Sequence, residues 1–503
     1  MRRKVLFIFP NTANSYAIPN AISILAGIAK NYSCCLEYFD TCMYQKDRDS
    51  MQDRESSGEF KPSDKPAFMK LKPFDHLVTD LQNKIDAFKP DIVAISCMSF
   101  EYEFLLTFFP KVRISDSTLV VIGGIHAILE PDEVVGSGLF DLVCTGEGEE
   151  AFPEILSAFG NKRKLYKIKN TYARDRRNGA VLRNTRRMLI NENQLWEYRP
   201  DHSLFDERYF WQPFDGKLYK RFSFETGRGC PFDCSYCGNT ALRRAYRDLG
   251  KFVRTRPVSS IKKNLPKLIT DYHIDLFYFQ DECFLFHDTG WLSEFADWYG
   301  KRVKKPFIVQ TRAETVTEEK IKFLKKMNAP FFQVSIGVES GSERMLAKVC
   351  NRKSRIDRVI KAFDLLRKYK IRTCAFFMVG LPYETREDIF DSIKLFKRIK
   401  PTVAIVSIFQ PMPGQRLRQV CIEEGFIKGS EPLHTFTGGS MLTMPQFSPD
   451  AIRGIRRVFL LYAALPKKYY HMIGKCERDY EGHKDLYEKL VRLRWGMVKR
   501  ERI

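Results

Sequence analysis

No window of the sequence approaches the roughly 18 consecutive apolar residues that cross a bilayer, so no membrane-spanning helix is expected. Low-complexity tracts and repeats of solenoid period are also missing, which excludes extended arrays. The start, Met1-Arg2-Arg3-Lys4, has the charge of an export signal, but its apolar run Val5 to Phe9 stops at Pro10. That is too short for a signal and suits a first β-strand. A cytoplasmic location is therefore expected, and with it cysteines that hold metal in preference to disulfides. Long lysine-only or arginine-only tracts are absent too. The net charge of +22 thus reads as a solvated basic surface that favours anionic partners, with nucleic acid disfavoured.

What is present is a chain of 503 residues with 44% hydrophobic residues and 40 phenylalanines, enough for several packed cores. From residue 4 to about 160, strand-like runs at Val5 to Phe9, Cys35 to Phe39, Ile92 to Cys97, Leu119 to Ile122 and Leu139 to Cys144 alternate with helical patterns near 18 to 30, 75 to 88, 101 to 109 and 149 to 159. The fold class expected is α/β, with residues 1–160 forming a Rossmann-like doubly wound parallel sheet. Such sheets bind ligands at the carboxyl ends of their strands. Here those ends are Pro10-Asn11, Ser96 to Ser99, Gly123-Gly124-Ile125-His126 and Gly146-Glu147-Gly148-Glu149.

Residues 45–72 read as a polar insertion, and 161–215, rich in Arg, Asn and Pro, as a connector. A second alternation then spans 216–425, with strands expected at Arg221 to Glu225, Leu276 to Gln280, Phe307 to Thr311, Phe332 to Ile336, Thr373 to Val379 and Val403 to Phe409. Six βα units suggest a partial barrel. Thr385 and Asp388 mark a helix start, with Ile389, Ile393 and Phe396 on one face. Residues 426–503 read as a mainly helical extension. Within it Ile452, Ile455, Val458, Phe459 and Tyr462, interspersed with Arg453, Arg456 and Arg457, form a basic amphipathic helix. Two readings apply to it: contact with a membrane surface or lipid substrate at the inner membrane face, or packing on the barrel.

The sharpest chemical signal is Gly229-Cys230-Pro231-Phe232-Asp233-Cys234-Ser235-Tyr236-Cys237-Gly238. Pro231 and the flanking glycines exclude a regular helix, so three thiolates at C-x3-C-x2-C share a loop. A cubane cluster takes one thiolate per iron, and three cysteines leave one iron open to another ligand. A zinc site completed by Cys283 or a histidine is the alternative, yet no second C-x2-C pair exists.

This loop resembles the signature of the radical S-adenosylmethionine (SAM) superfamily. The resemblance implies a [4Fe-4S] cluster on Cys230, Cys234 and Cys237, with Tyr236 beside it. SAM would chelate the open iron and be cleaved to a 5′-deoxyadenosyl radical by an electron from an external flavodoxin- or ferredoxin-type reductant. It also implies SAM contacts from Gln280, Asp281 and Glu282 at the second strand end, the first of these standing where relatives often have Asp. Further contacts are implied for Arg312, for Glu339 and Ser340, for Gly380 and Glu384 in the G-L-P turn, and for Pro411 near adenine; Gln415 stands where many relatives have Thr.

The first sheet resembles the cobalamin-binding domain that precedes many radical SAM proteins. That likeness implies cobalamin against Asn11, Ser96, Ser99, Gly123, Gly124, His126, Gly146, Glu147 and Gly148. The D-x-H-x-x-G motif of other cobalamin proteins is absent, so no histidine is expected on cobalt. The class B methylase-like branch implies cobalamin-dependent methyl transfer to an unactivated carbon of a small-molecule or lipid substrate. Alternatives are a radical SAM cyclase, oxidoreductase or rearrangement enzyme of the same architecture, or a tRNA methylthiotransferase. The last would need further cysteines, for which Cys42 and Cys97 are available while Asn11 follows the first strand. A basic nucleic-acid-binding module with a structural metal is the non-enzyme reading.

Overall fold

The computed structural model describes residues 2–13, 16–45, 50–61, 63 and 71–500. Part of the insertion expected over 45–72 therefore lies outside the described residues. The first sheet has seven strands: β1 (Lys4–Phe9), β2 (Cys35–Asp40), β3 (Ile92–Ser96), β4 (Leu119–Gly123), β5 (Leu142–Cys144), β6 (Thr171–Arg174) and β7 (Val181–Arg183), in the order β2-β1-β3-β4-β5-β6-β7. The first five are parallel, and β6 and β7 are antiparallel. Because strand residues alternate sides, Val5 and Phe7 pack with Ile22, Ala26, Phe152 and Ile155, while Leu6 and Ile8 pack with Leu77, Leu81, Leu105 and Phe108. Both faces are covered, as a doubly wound sheet requires. Residues 161–215, expected as a connector, contribute the antiparallel edge of this sheet. β6 and β7 are four and three residues long and polar on their outer sides, too short for a period-2 pattern to register.

The second sheet comprises β8 (Trp211–Phe214), β9 (Lys217–Phe224), β12 (Leu276–Phe279), β13 (Phe307–Arg312), β14 (Phe332–Glu339), β15 (Arg372–Val379) and β16 (Val403–Ile408). Between them, β10 (Gly227–Arg228) and β11 (Arg254–Thr255) form a separate two-stranded ladder. The order β16-β15-β14-β13-β12-β9-β8 follows the chain, and every pair from β9 to β16 is parallel. This is a curled half-barrel built from six βα units, with β8 added as an antiparallel hairpin edge. The helix Arg386–Ile399 begins at Thr385, whose side chain accepts the Asp388 amide while Asp388 reaches back, a reciprocal cap.

A half-barrel leaves the edge of β16 unpaired, which invites pairing with other chains. Here the edge is covered by two side chains and one backbone carbonyl. The buried Glu59 accepts the Val406 amide at 3.3 Å, Arg456 Nε donates to the Val406 carbonyl at 3.1 Å, and the Phe436 carbonyl accepts the Ile408 amide at 2.8 Å. Glu59 also accepts from Arg54 at 2.6 Å and pairs with Arg456. The insertion after β2 thus docks on the far strand of the half-barrel.

The helix Pro449–Ala464 does not present an apolar face to a membrane. Ile452, Ile455, Val458 and Phe459 are all fully buried in the half-barrel core, and Arg456 is buried against Glu59. The amphipathic pattern reflects packing, which has the same period as membrane contact. Among the described residues no helix is long and apolar enough to cross a membrane.

Candidate functional site

The three cysteines follow β9 in a loop fixed from below by Asp281. Its buried carboxylate accepts the amides of Thr226 at 2.8 Å and Gly227 at 3.0 Å and pairs with the Thr226 hydroxyl, and His287 Nε2 lies 2.9 Å away. Asp281 therefore anchors the loop, its oxygens shared by Thr226, Gly227 and His287. Gly229 has φ +90°, and a side chain there would strike the Phe252 carbonyl, so the turn into Cys230 demands glycine. Past the loop, Thr240 Oγ1 donates to the Cys234 carbonyl at 2.9 Å and Cys237 caps the helix Gly238–Ala245. On the outer side, Asp233 accepts from Arg243 at 2.7 Å and pairs with Arg416.

Burial pushes the Cys230 thiol up to about 12, and Cys237 is raised for the same reason. Sulfurs so placed become thiolates through a bound cation. Arg312, at the end of β13, donates from Nη1 to Cys234 Sγ at 2.9 Å and stacks 4.0 Å above the Phe232 ring. Glu314 holds the same guanidinium at 2.5 Å. Three sulfurs on one loop with a cation beside them fit an anionic iron–sulfur cluster.

Beside the cysteines, Glu339 sits at φ +68°, where the β14 register shifts between Gly337 and Glu339. A non-glycine residue held in this region stores strain of about 1–3 kcal/mol, a pattern common at functional sites. Its carboxylate accepts from Arg352 Nη1 at 3.0 Å, and the same nitrogen donates to the Tyr236 hydroxyl at 3.1 Å. Tyr236 and Glu339 thus meet through Arg352, and Arg312 is held by Glu314; no motif marked Arg352 or Glu314.

The other residues expected on SAM divide. Glu384 is fully buried and accepts the amides of Gly380 at 2.5 Å and Leu381 at 3.3 Å, so it builds the turn; burial pushes its carboxyl up to about 8. Ser340 accepts from the Ser342 amide at 3.2 Å, and the Pro411 carbonyl accepts from Arg418 at 2.6 Å. Gln280 is exposed and 3.5 Å from Asn20 Nδ2. Glu282 faces a cavity, so it keeps solvent contact while protein surrounds it, and desolvation lifts its carboxyl to about 7.

That cavity, of about 330 Å³, lies between the two sheets. The first sheet supplies Ser96, Gly123, Gly124, Gly146, Glu147 and Gly148 to its wall. The half-barrel supplies Glu225, Arg228, Gly229 and Glu282. Gly124 has φ +99°, and a Cβ would lie 2.3 Å from the Cys97 carbonyl oxygen. Bare backbone on one wall, as glycine loops provide, fits the close approach of a large planar cofactor edge. Asn11, Ser99 and His126 do not line this cavity. His126 stacks on Tyr102 at 4.2 Å with Nδ1 3.1 Å from Ser99 Oγ, supporting the 123–126 loop from behind. Asn11 Oδ1 accepts the Ala13 amide at 2.9 Å.

An ion-pair network unforeseen in the sequence lines the cavity. The β10–β11 register sets Arg228 opposite Arg254. Glu147 Oε1 accepts from Arg254 Nη2 at 2.6 Å and Arg228 Nη1 at 3.2 Å, and Glu149 accepts from the latter at 2.8 Å. Burial alone would raise the Glu147 carboxyl, but Arg254 and Arg228 hold it below its ordinary value. Arg228 is two residues from Cys230, so the network ties the glycine loop of the first sheet to the cysteine loop of the second.

Residues 224–396 match the model of the Radical SAM superfamily, and residues 70–156 match that of the B12 binding domain. The chain is 26% identical over 405 residues to an uncharacterized methyltransferase of Pyrococcus horikoshii, covering 78% of this chain and 83% of that protein. It is 25% identical over 345 residues to the anaerobic magnesium-protoporphyrin IX monomethyl ester cyclase of Rubrivivax gelatinosus, covering 67% of this chain and 60% of that one. In fold it resembles the radical SAM methyltransferase TsrM of Kitasatospora setae, solved with cobalamin and a [4Fe-4S] cluster. That match has a TM-score of 0.62 and 18% identity, over 84% of this chain and 75% of that one. The chain is therefore an enzyme that carries a radical SAM domain in its half-barrel, preceded by a B12-binding domain.

Proposed function

We propose that this protein is a cobalamin-dependent radical SAM methyltransferase that methylates an unactivated carbon of a small molecule. The observation that supports this reading best is a cavity walled by the glycine loops of the first sheet on one side and by the approach to the cysteine loop on the other. Cys230, Cys234 and Cys237 would hold the cluster, with Tyr236, Arg312 and Glu339 around the SAM end and Glu282 facing the space between. Ser96, Gly123, Gly124, Gly146 and Gly148 would bed cobalamin. When bound, these groups supply an electron to the sulfonium of SAM and a carrier for methyl, the electron coming from an external flavodoxin- or ferredoxin-type reductant.

The chain's own residues place and shield. Glu147, Arg228 and Arg254 hold the two walls together. The Gly229 turn and Asp281 fix where the cysteine loop leaves β9. With its carboxyl near 7, Glu282 can accept or release a proton at neutral pH beside the substrate space. A second reading, ring formation without methyl transfer, is supported by the identity to the cyclase.

Anaerobic reconstitution with iron, sulfide and cobalamin, followed by assay of SAM cleavage, tests the proposal. 5′-Deoxyadenosine formation that is lost in Cys234→Ala supports it. Retained cleavage in that variant, or failure of the wild-type chain to assemble a cluster, overturns it. Incorporation of label from [methyl-14C]SAM into an organic product separates methylation from cyclisation.

A further inference from the structure

The three cysteine sulfurs are not in equivalent surroundings. Cys230 faces the backbone amide of Phe232, and Cys237 faces those of Asn239 and Thr240. Cys234 instead receives a charged donor, Arg312 Nη1 at 2.9 Å. Both partners are nearly buried, Cys234 at 8% and Arg312 at 9% exposure. The guanidinium has no freedom to leave: Glu314 takes Nη2 at 2.5 Å and Nε at 3.3 Å, and Phe232 covers its face. Those contacts use the side of the fork away from sulfur and leave Nη1 aimed at Cys234. The other buried cation nearby, Arg352, is directed elsewhere, to Glu339, the Tyr236 hydroxyl and the Gly337 carbonyl. Among the described residues, Arg312 is the side chain that donates to a cluster cysteine.

We infer that Arg312 sets the reduction potential of the cluster, in addition to any contact it makes with SAM; this rests on the assignment of Cys234 as an iron ligand. Reduction adds one electron, supplied by the external donor, and the negative charge spreads over the iron, sulfide and thiolate sulfurs. A fixed cation that hydrogen-bonds one thiolate stabilises the reduced form more than the oxidised form, because it meets the larger negative charge. Cys234 and Arg312 are both buried, so solvent screens little of the interaction between them. Glu314 opposes it only in part, since the guanidinium stands between that carboxylate and the sulfur. No bond is made or broken at Arg312.

The test is redox titration, followed by electron paramagnetic resonance, of the reconstituted cluster without SAM in the wild type, Arg312→Gln and Arg312→Lys. Iron and sulfide content is measured first. Arg312→Gln should keep the cluster and shift its reduction equilibrium roughly tenfold toward the oxidised form, a midpoint lower by about 59 mV for one electron. Arg312→Lys, which keeps the charge and loses the planar fork, should recover part of the shift. An unchanged midpoint in a fully loaded Arg312→Gln protein overturns the inference. So does loss of the cluster in both variants, which would make Arg312 a structural residue. Failure of the wild type to load iron would instead overturn the cluster assignment, and this inference with it.

Discussion

Replacing Glu147 by alanine should cost far more than the loss of one carboxylate from the surface, because of what it leaves behind. Arg254 has a side chain only 2% exposed, and Glu147 is the carboxylate that neutralises it, through contacts of 2.6 and 3.0 Å. Arg228 keeps Glu149 at 2.8 Å, so its charge remains paired. The Ile190 amide, which donates to Glu147 at 3.1 Å, also loses its acceptor. A buried ion left without its partner costs about 3–5 kcal/mol, and that is the loss expected. Urea denaturation followed by circular dichroism and by tryptophan fluorescence would read it. Trp196 donates to the Thr255 carbonyl beside Arg254 and reports on this interface. The two probes should separate in the variant, as the sheets cease to unfold together. Since the Glu147 carboxyl is held low in the fold, its contribution is present above the ordinary carboxylate range and fades as pH falls through the lowered value. The gap between variant and wild type should therefore narrow in acid. Glu147→Leu combined with Arg254→Met should recover most of the stability, as exchange of a buried pair for apolar residues generally does. A loss below about 1 kcal/mol, the worth of an exposed pair, with coincident probes would refute the reasoning.

Two further predictions follow from single groups. Glu384 has a carboxyl raised to about 8 from 4.5, so it folds protonated and its contribution is lost as pH rises through the folded value. Glu384→Gln, which keeps an oxygen for the Gly380 and Leu381 amides, should flatten the decline of thermal stability across that window; an unchanged slope would contradict the assignment. Gly124→Ala forces a left-handed backbone and a clash with the Cys97 carbonyl, so a loss of about 1–3 kcal/mol and weaker retention of cobalamin on gel filtration are expected. Normal stability and retention would show that the loop tolerates a side chain.

The sequence discloses most clearly what depends on local period. The parallel strands and the cap at Thr385 appear where expected because alternation and capping are properties of a few neighbouring residues. The strands β6 and β7 leave no mark because three or four residues carry no period, and β6 pairs with β5 while β7 pairs with β6. The cysteine loop is legible for the same reason: its spacing is contained in eight residues. Asp281 shows the limit. Its position at a strand end suggests a ligand contact, and only the three-dimensional arrangement shows it bonded to Thr226, Gly227 and His287. Likewise its glycine neighbours mark Glu147, yet its oxygens are taken by arginines 81 and 107 residues away. Helix Pro449–Ala464 has one apolar face in either of two environments, and sequence alone does not choose between a lipid surface and a protein one.

The docking of Glu59 on β16 bears on how this enzyme can be divided. Cutting after the first sheet, in the stretch 184–210, would seem to yield a separate catalytic half. That fragment would lack Glu59, leaving Arg456 without a counter-charge and the Val406 amide without an acceptor. A strand border missing one acceptor beside a stranded cation is a recipe for insoluble product, so the two halves have to be made, and inherited, as one piece.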